Sequence, residues 1–269
     1  TWFAKRPVPP QARTLCPPAG QAGIRRQMEQ LKREYEKQDR MRRDFTANVS
    51  HELKTPLTSI SGYAEIIREG MVKSEDVGRF AGKIYEEAQR LITLVEDILN
   101  LSHLDEGAPG QERRQGIDLY ALCERAVASL AEAARQRGIA ISLTGSRQRV
   151  DGAEKLLAEI IFNLCDNAIK YNQENGHVAV SVTREGDRVV LTVQDTGIGI
   201  PPGETDRVFE RFYRVDKSHS KEIGGTGLGL SIVKHAAAYH DAKIQLDSQL
   251  GRGTRVRVLF PLSQKEAQP

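Results

Sequence analysis

A repeat at alternating steps of four and three runs through Ile24, Met28, Leu31, Tyr35, Gln38, Arg42, Phe45, Val49 and Glu52. That period suits a helix and not a strand, and its apolar members need something to cover them. The seam is apolar early and late and polar at Gln38 and Arg42. It reads either as a coiled-coil seam with a polar interruption or as one face of an ordinary amphipathic helix. Pro56 removes a backbone donor and predicts a kink near Glu52. The pattern resumes through Ile60, Tyr63, Ile66 and Ile67 and stops near Gly70. After a turn over 71–76, a second repeat follows through Val77, Phe80, Ile84, Ala88, Leu91, Val95, Ile98 and Leu101, and ends near Gly107-Ala108-Pro109-Gly110. Two long helices and a short turn make a hairpin. A lone hairpin cannot cover both seams, whereas two form a four-helix bundle. The expectation is a homodimer through residues 24–105.

Bulk properties exclude several classes. At 269 residues there is room for one large or two ordinary domains. A net charge of +3, from 39 basic against 36 acidic residues, gives no electrostatic case for nucleic acid. Cys16, Cys123 and Cys165 have no paired spacing, which argues against a disulfide framework or zinc site and fits a reducing compartment. No apolar run is long enough to span a membrane, and no signal-peptide pattern is present. Residues 1–23, rich in proline, read as a linker or a vector-derived remnant.

Beyond the hairpin, a linker over 108–116 leads to a mixed region, 117–263, with a short tail at 264–269. Helices are predicted over 118–137, 153–171 and 228–239. Strands are predicted over 139–143, 178–182, 189–193, 243–248 and 254–260. Strands in tandem with three helices predict helices on one face of a mixed sheet. The fold class is therefore α+β: a helical hairpin followed by an α/β sandwich.

Three places in that region carry polar chemistry. The helix at 153–171 has Glu159, Asn163, Asn167 and Lys170 at steps of four, four and three, all on one face. A solvated face is the plain reading, but asparagine is a poor helix former, and its oxygen is a hard ligand suited to Mg²⁺. Asp195 ends a strand and opens Asp195-Thr196-Gly197-Ile198-Gly199-Ile200. It reads as a turn, or as an acceptor for an adenine amino group. Gly224-Gly225-Thr226-Gly227-Leu228-Gly229 precedes a helix. It is a flexible loop or a phosphate cradle, since backbone amides at a helix N-terminus bind anions. Between Ile200 and Gly224, a stretch without periodicity carries Phe209-Glu210-Arg211-Phe212-Tyr213-Arg214 and reads as a lid or an insert.

The hairpin holds a fourth. In His51-Glu52-Leu53-Lys54-Thr55-Pro56-Leu57 an imidazole and a hydroxyl lie four residues apart on one helix face. Neutral imidazole is a nucleophile near pH 7. Glu52 could take a proton from the other ring nitrogen or orient it, although a strict helix places it off that face. A nucleophile at one end and a phosphate cradle at the other point to phosphoryl transfer onto His51.

Together these motifs resemble the bacterial sensor histidine kinases with a HisKA-type dimerization domain, of the phosphate-regulon sensor kind. The matching stretches, in family order, are Phe45–Leu57 around His51, Asn163–Tyr171, Asp195–Ile200, Phe209–Arg214 and Gly225–Leu230. The resemblance covers residues 30–262. It implies an ATP-binding domain of the gyrase/Hsp90/histidine-kinase/MutL superfamily, of Bergerat type. It implies ATP and Mg²⁺ as cofactors, with Asn163 on the metal and Asn167, Lys170 and Tyr171 lining the pocket. Asp195 would bind the adenine amino group, and Gly197, Gly199 and Ile200 would belong to the nucleotide site. Phe212, Gly225, Thr226, Gly227, Leu228 and Gly229 would close over the phosphates. His51, Glu52, Thr55 and Glu159 are the catalytic candidates, Thr55 positioning water for the reverse reaction on a response regulator. The resemblance also implies a cytoplasmic module of a membrane-anchored sensor, reaching the membrane only through other segments. Two readings compete with it: an ATPase of the same superfamily without phosphohistidine, and a scaffold that only dimerizes and binds a regulator.

Overall fold

The computed structural model describes residues 18–105, 113–215 and 225–263. The expected tail at 264–269, the first part of the linker at 108–116 and the end of the lid beyond Val215 lie outside them. Residues 1–51 and 52–269 form two units. The described part of the first is the start of helix α1, Pro18–Arg68, which takes in residues 18–23 ahead of the first seam position, Ile24. Met28, Leu31 and Tyr35, at seam spacing, are exposed on it.

The second unit opens with the rest of α1. Pro56 lies inside that helix without ending it. Helix α2, Val77–Asp105, follows a short turn, and Tyr63 meets Phe80 edge to face at 5.7 Å. The predicted α2 repeat divides between two stripes, with Leu101 in a buried one and Val95 in an exposed one. Leu94, Leu101 and Leu104 are buried, whereas Tyr85, Ile92, Val95 and Leu99, at heptad spacing, are exposed.

Then follow β1 (Arg114–Asp118), α3 (Leu119–Gln136), β2 (Ala140–Gly145), β3 (Arg149–Gly152), α4 (Glu154–Lys170), β4 (His177–Glu185), β5 (Arg188–Asp195), a 3-10 turn (Arg207–Phe209), α5 (Gly229–Tyr239), β6 (Lys243–Gln249) and β7 (Gly253–Pro261). Five strands form one sheet in the order β2-β4-β5-β7-β6, and β1 pairs with β3 in a separate ribbon. Only β2 and β4 run parallel within the large sheet, and α4 lies in the crossover between them, as parallel pairing requires. One rung crosses all five strands: Leu143, Val180, Val193, Val256, Leu246. Its alternation puts Val180, Val182, Leu191, Val193, Val256 and Val258 into a buried layer. Leu157, Ile160 and Ile161 of α4 and Ile232 and Val233 of α5 are buried with it. Cys123 on α3 and Cys165 on α4 are both fully buried and free. Burial pushes both thiols up, Cys165 to about 12, so neither is a nucleophile at neutral pH.

Candidate nucleotide site

With its apolar side in the core, α4 turns its polar stripe away from the sheet. Asn163 donates from Nδ2 to the carbonyl of Glu159 at 2.9 Å. That bond leaves the amide oxygen aimed at α5. A Cβ on Gly229 would lie 2.7 Å from Asn163 Oδ1 and 3.7 Å from Asn167 Nδ2, so only glycine lets the start of α5 approach the two asparagines this closely. Lys170 pairs with Asp166 at 2.6 Å, both side chains half-buried. One oxygen of Glu159, Oε2, is buried without a hydrogen-bond partner. Burial first, and then the neighbouring Asp97, push that carboxyl above the ordinary range, against the pull of Lys155.

Tyr171 caps α4 and links both glycine segments to it. Its carbonyl accepts from Ile198 N at 3.0 Å, and its hydroxyl lies 3.0 Å from where a Cβ of Gly225 would be. At the end of β5, Asp195 accepts from Gly197 N at 2.8 Å and Thr254 N at 3.1 Å, both on Oδ1. The Oδ2 atom is thereby left for an outside donor. Burial raises the Asp195 pKa and the two amide bonds oppose the rise. Ile200 N donates to Ser248 Oγ at 2.8 Å, and Gly199 lies against the backbone of Gln249.

The second glycine segment is threaded against the Phe209–Arg214 segment. Gly227 has φ +73, and a Cβ there would lie 2.9 Å from Phe212 Cα. Phe212, itself at φ 61, donates its N–H to the Gly227 carbonyl at 2.9 Å. Leu228 is fully buried and its N–H donates to the Thr226 hydroxyl at 3.3 Å. Arg211 donates to His235 Nε2 at 3.2 Å, while His235 Nδ1 donates to the Ser231 carbonyl, tying the segment to α5. The arrangement has a carboxylate for a base, two amides and a lysine on one helix, and a glycine loop at the start of another. It can hold an adenine nucleotide with its phosphates at the mouth of α5.

The hairpin part of the unit supplies two more groups. Glu52 pairs with Arg214 at 3.2 Å. Asp97 accepts from the Thr226 hydroxyl at 2.7 Å. Sequence reasoning placed Glu52 beside His51 and missed Asp97 altogether. The available signal was spacing: Asp97 stands in the Leu94-Leu101-Leu104 stripe, a carboxylate among leucines that turn out buried. His51 is exposed and closes the first unit. Thr55 is exposed on α1 in the second.

Comparison with known proteins finds two family models along the chain. Residues 152–264 match the family model described as "Histidine kinase-, DNA gyrase B-, and HSP90-like ATPase". Residues 41–107 match "His Kinase A (phospho-acceptor) domain". The chain is 40% identical over 229 residues to the sensor-like histidine kinase SenX3 of Mycolicibacterium smegmatis, covering 85% of this chain and 59% of that protein. It is 37% identical over 231 residues to the phosphate regulon sensor protein PhoR of Pseudomonas aeruginosa, covering 84% and 51%. The chain thus spans little more than half the length of these relatives. Among solved structures, histidine kinase ThkA in complex with the response regulator protein TrrA has a TM-score of 0.66 at 22% identity, covering 87% of this chain and 67% of that one. That likeness is one of fold.

Proposed function

The chain belongs to the sensor histidine kinases of two-component systems, and on that premise we propose that it transfers the γ-phosphoryl group of ATP to His51 and then to an aspartate of a response regulator. A ring nitrogen of His51 attacks the γ-phosphorus. The N–P bond forms, the bond to the ADP oxygen breaks, and the ring proton passes to a base. Positioning and neutralisation of charge carry most of such a transfer. The observation that carries the reading is the close approach of Gly229 to Asn163 and Asn167, which brings a helix N-terminus and hard oxygen donors to one place.

Asp195 receives the adenine amino group on Oδ2. Asn167, Lys170 and Tyr171 line the pocket, and Thr226 to Gly229 hold phosphate oxygens. The donor set fits Mg²⁺: the Asn163 amide oxygen and the orphaned Glu159 oxygen are hard ligands one helical turn apart. Among the described residues no three His, Cys, Asp or Glu side chains are grouped to hold a metal, so phosphate and water would complete its shell. Bound Mg²⁺ supplies neutralisation of phosphate charge. Glu52 is the nearest base in sequence to His51, and Thr55 orients water when the regulator is dephosphorylated.

A homodimer through residues 24–105 is supported by the exposed heptad stripes on α1 and α2. The regulator partner is supported by the ThkA–TrrA complex. Among the described residues no helix is long and apolar enough to cross a membrane, and we assign the chain as the cytoplasmic module of an anchored sensor, divided into a hairpin over 24–107 and an ATP-binding domain over 117–263. Incubation with γ-labelled ATP tests the reaction. The expected label is acid-labile, alkali-stable and lost in His51→Gln. Label that persists in that variant overturns the assignment, and a chain that binds no ATP is a scaffold.

A further inference from the structure

Building on the nucleotide reading of this site, we propose that Asp97 is a positioning residue that holds the phosphate-binding loop from α2 and competes, as an anion, with nucleotide phosphates for that loop. Its carboxylate accepts from the Thr226 hydroxyl at 2.7 Å. One residue earlier, the Gly225 carbonyl accepts from Arg214, whose guanidinium also reaches Glu52 at 3.2 Å. The Arg214 side chain is only 6% exposed. Two consecutive loop residues are therefore held, directly or through one arginine, by carboxylates of the hairpin.

Two groups that act on Asp97, the Thr226 hydroxyl and the Lys170 ammonium, are ones a phosphate would also seek. Burial above all, with the carboxylates of Asp166 and Glu96, raises the Asp97 pKa, while the Thr226 bond and the charge of Lys170 oppose the rise. Glu159 lies near enough to feel its charge. A triphosphate brought to the same loop adds negative charge beside these groups and asks for the same donors. Asp97 must give up Thr226 for the phosphates to take it. The carboxylate shares its stripe with buried Leu94, Leu101 and Leu104, on a helix packed against α5. Displacing Asp97 thus loosens the apolar contact of α2 as well. Linkage makes the coupling reciprocal: what nucleotide does to the α2 contact, the contact does to nucleotide affinity.

The test is binding of a non-hydrolysable ATP analogue to the whole chain. Asp97→Ala is expected to bind it about fivefold or more tightly than the parent. Asp97→Asn, which keeps an acceptor and loses the charge, falls between the two. Equal or weaker binding by Asp97→Ala overturns the proposal while leaving the nucleotide site in place. Absence of binding by parent and variants alike overturns both. A second measurement needs no variant. Saturating analogue is expected to speed amide hydrogen exchange over residues 94–104, and unchanged or slowed exchange there counts against the competition.

Discussion

Helices α2 and α4 lie in the same unit and both carry leucine and isoleucine at helical spacing, yet they bury them differently. In α4 the apolar face, from Leu156 to Ile169, is buried within the chain's own sheet domain. In α2 one stripe is buried and another, Tyr85, Ile92, Val95 and Leu99, stays exposed. Periodicity says that a helix has a face; it does not say what covers the face. An α4-like helix is complete in one chain, whereas an α2-like helix is covered on one side by the sheet domain and leaves another side for the proposed second copy.

The sharpest way to break this contrast is to cut into α4. Ile160→Ala removes a fully buried side chain and is expected to cost about 2–5 kcal/mol in urea unfolding. A loss well under 1 kcal/mol would mean that the layer is not packed as described. Gly152→Ala attacks the same region from below. Its Cβ would lie 2.1 Å from His240 Cδ2, and the overpacking is expected to cost about 1–3 kcal/mol in the same assay.

His240 also makes the start of α4 sensitive to acid. Its Nε2 accepts the N–H of Ala153, which otherwise caps α4 without a side-chain bond. Burial, its largest influence, depresses the His240 pKa from 6.5. The unfolded chain therefore takes up a proton before the folded one. Stability is full above the ordinary histidine value and falls as pH drops below it. The raised carboxyls of Asp97, Glu159 and Asp195 act with the opposite sign at lower pH. The readout is thus a difference: between about pH 7 and 5.5, His240→Gln should show a flatter decline in melting temperature than the parent.

The smallest effect on folding belongs to α2. Ile92→Ala with Leu99→Ala should change unfolding of the dilute chain by no more than about 0.5 kcal/mol. The same pair should weaken self-association about tenfold or more by sedimentation, since one lost apolar contact of 1.4 kcal/mol is already that much. Undiminished association would show that some other face joins the copies.

The α4 stripe and the glycine segments were legible in the sequence because each is written within a few turns of one element. Glu159, Asn163, Asn167 and Lys170 declare a shared face by spacing alone. Asp97 was not legible, because an acidic residue on an amphipathic helix reads as solvated until α5, far along the chain, is placed beside it. The ribbon of β1 and β3 escaped for another reason. Arg114–Asp118 and Arg149–Gly152 are short, lack alternation, and pair with a register irregularity. The ribbon is held partly by the bond from Gly116 N to Asp151 Oδ1 at 2.8 Å, which no periodicity announces.

Asp195 is held by the amide of Thr254, 59 residues later, at the start of the last strand. A chain leaving the ribosome can therefore hold the Asp195 carboxylate only by the nearby amide of Gly197 until Thr254 arrives. The second bond to Asp195 arrives only with β7. A transcript cut short before that strand, even with every motif intact, encodes a polypeptide that cannot assemble its pocket.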